Sequence, residues 1–120
     1  MEATLPTSQI VVPSQLSWEP HSAIPGGRIA YLLAPEPGGS SVTCALVELP
    51  AGAAPEAHVH GHCDDLLYVL SGKGAVWVED VGDVALEPGC FLRIRQGVRH
   101  RPHDIAETLL IYNTWSPALG

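Results

Sequence analysis

Short apolar runs broken every few residues by Gly or Pro set the pattern of this chain. Residues 8–12, 28–33, 42–49, 66–70, 75–80, 82–86, 91–94, 98–101 and 108–115 each read as an extended segment. Between them stand Pro25-Gly26-Gly27, the breaker-rich loop 35–39, Pro50-Ala51-Gly52, Pro88-Gly89 and Gln96-Gly97. Ser71-Gly72-Lys73-Gly74 reads as a tight hairpin turn, residues 18–24 as irregular, and residues 1–7 as frayed. No stretch of three turns combines helical periodicity with freedom from Gly and Pro, so the class is all-β. With an extended His58–His60 segment added, about ten short strands fit a sandwich or small barrel.

The segment 58–65 breaks that pattern. His58, His60, His62, Asp64 and Asp65 place three imidazoles and two carboxylates within eight positions. Such side chains bring little apolar area to a core. Imidazole and carboxylate are, however, the usual ligands of a divalent transition metal. His58 and His60 alternate, so an extended backbone turns both rings to one face. The cluster runs straight into the apolar residues 66–70, which suggests a site in the mouth of a β-structure.

The spacing around this cluster resembles the first motif of the cupin superfamily. Gly52 is followed by five residues, His58-Val59-His60, four residues, Asp65, six residues and Gly72, with Asp where the family carries Glu. The second motif is matched by Gly89, five residues, Arg95-Gln96-Gly97, two residues, His100, three residues and Asp104. Here Arg95 replaces a Pro and Asp104 an Asn. The resemblance spans about residues 42–115 and is closest to small single-domain bacterial cupins. It implies one domain over 1–120, a jelly-roll-like β-barrel of two antiparallel sheets, and a metal held by His58, His60, Asp65 and His100.

Three imidazoles and a carboxylate would leave two positions open on an octahedral ion, as a metal that binds substrate or oxygen requires. Fe, Mn, Ni and Zn all suit such donors, one divalent ion per subunit. Aspartate reaches roughly 1.5 Å less than glutamate, so a three-histidine site completed by water is the alternative. Asp64 shares no face with Asp65 on a regular strand, unless a bulge exchanges them. His62 and Asp64 are the candidate catalytic groups, as proton relays beside the metal.

Further residues add smaller expectations. Arg93, Arg95, Arg99 and Arg101 read as a solvated face, with an anion clamp as the sharper reading. Trp77, Tyr112 and Trp115 read as core or dimer contact. His21 and His103 have no evident partner. Leu66, Tyr68 and Leu70 make the outer face of their strand apolar, which calls for a cover by the N-terminal strands or by a second subunit exchanging them, and a homodimer is expected.

Composition narrows the setting. The 120 residues allow one modest core, and a net charge of −7 repels phosphate backbones, which argues against nucleic acid. No apolar run is long enough to span a bilayer, and the first residues lack the pattern of a signal peptide. Cys44, Cys63 and Cys90 read as reduced thiols of a cytoplasmic protein. The expected function is a metal-dependent enzyme acting on a small oxygen-rich molecule, and the cupin resemblance implies dioxygenase, isomerase, decarboxylase or cyclase chemistry. A non-catalytic ligand-binding or sensor barrel is the alternative, and metal used only for stability is a third.

Overall fold

The computed structural model describes residues 8–35 and 41–119. The expected fraying of 1–7 and most of the expected loop 35–39 lie outside them. Among the described residues, seven antiparallel strands follow a short 3-10 helix at Pro13–Gln15. They are β1 (Trp18–Pro20), β2 (Arg28–Leu33), β3 (Thr43–Leu49), β4 (Asp64–Val78), β5 (Gly82–Leu86), β6 (Phe91–Ile94) and β7 (His100–Ser116). They form one sheet in the order β1-β2-β3-β7-β4-β5, with β6 also paired to β4. The sheet folds over on itself as an open, jelly-roll-like barrel. Alternation decides what lies inside. Along β3, Thr43, Ala45, Val47 and Leu49 are buried, while Cys44, Leu46 and Glu48 are half-exposed. Ile29, Val47, Val69 and Ile111 from one half meet Val76, Leu86 and Ile105 from the other in one core.

Strands β4 and β7 shape the molecule. They pair from Asp64↔Ser116 at one end to Val78↔His100 at the other. A straight strand from Asp65 to Val78 would span about 43 Å at about 3.3 Å per residue. Yet His100 Nε2 lies 3.6 Å from Asp65 Oδ2. The ribbon must therefore double back, and it does so where its register breaks, between Val69 and Ala75. Across that stretch β7 runs from Ile111 to His103, two residues more than its partner uses. The extra residues are bulges, which bend a strand and add twist. Gly72 lies in this crease at φ +94, and a β-carbon there would collide with the Thr108 carbonyl. Asp104 takes up another part of the crease at φ +49. Asn and Asp tolerate that left-handed backbone better than most residues, which rationalises Asp where the motif carries Asn.

Several sequence expectations change here. Residues 71–74 form no hairpin turn, because β4 runs through them and spends its glycines on the bend. The segments 98–101 and 108–115 are largely one strand, so seven strands replace about ten. Residues 8–12 form no strand, having no ladder partner, whereas Trp18–Pro20 pairs with β2. The segment around His58 and His60 is a single bridge rather than a strand. No helix among the described residues is long and apolar enough to cross a membrane.

Candidate metal centre

His100 opens β7, and a reciprocal pair of backbone hydrogen bonds ties it to His58. Each N–H donates to the other's carbonyl at 2.9 Å. Gly97 N–H donates to the His60 carbonyl at 2.8 Å, which fixes the second half of His-Val-His against the same loop. Two segments forty residues apart are thus clamped by main chain before any side chain contributes. The result is close packing of imidazoles, with ring centroids 4.1 Å apart for His58 and His100, and 5.4 Å for His58 and His60. One ligand atom from each of His58, His60 and His100 lies within 4.8 Å of the others, the one such group among the described residues.

The two carboxylates that begin β4 part company. Asp65 is buried, and Asn113 Nδ2 donates to its Oδ1 at 2.8 Å. Its Oδ2 lies 3.6 Å from Nε2 of both His60 and His100. The Trp115 indole N–H is close enough to favour the charged carboxylate, yet falls short of hydrogen-bonding geometry. Burial outweighs both neighbours and pushes the Asp65 carboxyl up to about 6. Asp64 faces the other way. Arg93 Nε and Nη2 donate to its Oδ2 at 2.9 and 2.8 Å, and Gln96 N–H donates to its Oδ1 at 2.9 Å. These bonds, the backbone one first, hold its carboxyl below the usual range.

All three imidazoles titrate below their ordinary range. Burial is the first cause throughout, and it brings His100 down to about 4, helped by the charge of its neighbour His58. Neutral imidazoles are the form that ligates a metal. His58 Nδ1 and His100 Nε2 are buried with no hydrogen-bond partner. Such orphaned atoms are costly unless something fills the gap. The donor set, three imidazoles with a carboxylate beside them, is right for a divalent transition ion. The residues present fit a metal, and the three histidines can hold one.

The cluster lines a cavity of about 190 Å³. Its floor is apolar, made by Ile29, Val47, Leu67, Val76, Leu86 and Ile111. Neither Asp64 nor His62 is part of its lining. Asp64 is committed to Arg93 outside, and His62 is exposed in the turn beyond His60. The four arginines do not line the cavity either, so no clamp forms there. The aromatic trio splits as well. Trp115 is buried, 6.3 Å from the His60 ring, and lines the cavity, whereas Tyr112 is exposed. Residues three apart on a strand face opposite sides.

His21, Asn113 and Trp115 line the cavity without having been marked by the sequence as site residues. Asn113 had a usable signal, a polar residue on the inward parity of an otherwise apolar strand. His21 had none. His103 has partners after all, with Nδ1 3.0 Å from Asp104 Oδ2 and Nε2 2.9 Å from Asp83 Oδ1.

The family model described as "Cupin domain" matches residues 45–112, more than half of the chain. The chain belongs to the cupin family. Among solved structures it is similar to KdgF from Halomonas sp., with a TM-score of 0.78 at 20% identity over 92% of this chain and 94% of that one. It is also similar to a predicted oxalate decarboxylase from Thermotoga maritima, with TM-score 0.74, 24% identity, and 92% and 100% covered. A third is the polyketide cyclase RemF from Streptomyces resistomycificus, with TM-score 0.77, 16% identity, and 92% and 80% covered. At these identities the likeness establishes the fold alone. No curated protein sequence matches the chain.

Proposed function

We propose that this cupin is a metal-dependent enzyme acting on a small, oxygen-bearing organic molecule, with His58, His60 and His100 as ligands and Asp65 as the fourth. One observation carries the reading: imidazoles from two distant segments meet at an apolar cavity, with two of their nitrogens buried and unpartnered. A divalent ion there supplies Lewis acidity or activates oxygen. The chain's own residues supply the rest. Asn113 holds the Asp65 carboxylate toward the imidazoles. The apolar floor excludes water and strengthens polar contacts made beside it. Structural neighbours described as a decarboxylase and a cyclase are consistent with enzymatic use of such a barrel.

The test is metal analysis of protein purified without chelator and then reloaded with Fe, Mn, Ni or Zn. We expect about one ion per chain; less than about a tenth after reloading overturns the reading. Oxygen uptake and product formation across enols, catechols and diketones then separate oxygenase from isomerase. A ligand-binding or sensor barrel is the second reading, favoured by the absence of both Asp64 and His62 from the cavity lining. Tight ligand binding without turnover would select it.

We also propose a homodimer. On the outer face, Leu46, Tyr112, Tyr68 and Phe91 stand directly opposite one another across four strands. Tyr68 and Phe91 are 43% and 61% exposed, too open for an apolar row to stand alone in water. Sedimentation should give a dimer that Tyr68→Glu converts to monomer. A wild-type monomer at micromolar concentration would refute it.

A further inference from the structure

The cavity has a rim that the metal ligands do not use. Glu19, His21, Ser22 and Ala23 reach it from β1 and the turn that follows. That turn is closely built: His21 N–H donates to the Gly27 carbonyl at 2.9 Å, and Gly27 N–H to the Ile24 carbonyl at 2.9 Å. A β-carbon at Gly27 would come within 3.3 Å of the His21 β-carbon, so a bare backbone is what lets the turn close behind this histidine.

The turn also settles which imidazole nitrogen is free. Ala23 N–H donates to His21 Nδ1 at 3.0 Å. A nitrogen that accepts a hydrogen bond carries no proton, so the proton of the neutral ring sits on Nε2. His21 therefore does not serve as another ligand through Nδ1. It offers an N–H donor in a cavity otherwise rich in apolar surface and unprotonated imidazole nitrogen.

Charge limits what can enter. No Lys or Arg is among the described residues that line the cavity, whereas Glu19 and Asp65 are. A divalent ion beside the Asp65 carboxylate would keep one positive charge, enough for one anionic oxygen of a ligand. A second carboxylate or a phosphate would face Glu19 with no counter-charge and would lose its hydration on entry.

We infer that His21 is a substrate-binding residue, donating through Nε2–H to an oxygen of a molecule whose body is apolar and uncharged and whose one negative charge, if it has any, sits on an oxygen held by the metal. The inference rests on the proposed use of the cavity as a metal-assisted site and goes further by naming a new contact and a substrate class.

The probe is 2-hydroxyacetophenone with its hydroxyl on the ring carbon ortho to the acetyl group, an apolar ring whose carbonyl and phenol oxygens can reach one ion together. Its 5-isopropyl and 5-carboxylate derivatives are of similar bulk and differ in charge. Binding is measured by calorimetry to zinc-loaded wild type, His21→Phe and His21→Gln, with zinc content determined on each sample. We expect the 5-carboxylate to bind at least about tenfold more weakly than the 5-isopropyl compound. His21→Phe should weaken 2-hydroxyacetophenone about tenfold, as for one lost hydrogen bond, at unchanged zinc content. His21→Gln, which restores an N–H donor, should recover most of that loss. Nitrogen-15 spectra of the metal-free protein should place the His21 proton on Nε2.

Equal binding by wild type and His21→Phe overturns the inference, as do equal affinities for the two derivatives or no probe binding to wild type. Should wild type hold no zinc, the metal reading fails separately. The same titrations on metal-free protein then decide the role of His21 by the same outcomes.

Discussion

On the inner face of β4, Asp65 is followed by Leu67 and Val69; on the outer face, Asp64 is followed by Leu66, Tyr68 and Leu70. Each face carries one carboxylate and then apolar residues, so composition does not tell them apart. Position does. The inner carboxylate is shut away from water among imidazoles and its carboxyl titrates high; the outer one is half-buried at the surface, bonded to the Gln96 N–H and paired with Arg93, and titrates low. One group is poised to meet a cation or keep a proton near neutral pH, and the other is a fixed charge on the surface. The lesson is that the chemistry of a carboxylate in this fold follows from the direction of a single strand register.

The sharpest way to break this contrast is through the ion. His100→Ala should abolish stoichiometric metal binding, read by elemental analysis, because it removes a buried donor that backbone bonds hold against His58. Asp65→Ala should weaken binding by about 10- to 100-fold, whereas Asp64→Ala should leave it unchanged. Equal, negligible losses for the two would mean a site of three histidines and water.

Stability should divide the same way at a smaller scale. Leu67→Ala opens the inner face and should cost about 2–5 kcal/mol in denaturant unfolding. Leu70→Ala, whose side chain is 43% exposed, should cost less than about 0.5 kcal/mol in the monomer.

The contrast also bears on acid stability of the metal-free protein. His58, His60 and His100 have folded-state pKa values below the ordinary 6.5, so the unfolded chain takes up protons first. Stability should therefore fall as pH drops from about 6.5 toward about 4. Asp65 opposes this: its folded value of about 6 exceeds the unfolded 3.8, so the folded state binds a proton first and gains stability over the lower part of that range. Asp65→Asn should steepen the acid loss followed by thermal melting. An unchanged slope would contradict the inner-face assignment.

The fold and the three imidazoles were legible because they rest on local regularities. Alternation marked the buried faces of β3 and β4, and the interval from Gly52 to Gly72 fixed where His58 and His60 fall. What escaped notice depends on distant pairing. Gly72 and Gly74 have the composition of a turn, and only the ladder to β7 makes them a crease within one strand. Pro102 lies just past the expected segment 98–101, yet it sits inside β7 opposite Val76. His21 joins the cavity through β1, a three-residue strand too short to announce itself. Asn113 is conspicuous only once its strand is known to face inward.

The doubled-back ribbon of β4 and β7 acts as a pair of tongs. Asp65 and Trp115 sit on one jaw, Val78 and His100 on the other, and the glycine-lined crease is the pivot. Grip at the tips is thus set by residues far from them, and one added or deleted amino acid at the pivot would resize the opening while leaving every donor atom in the chain.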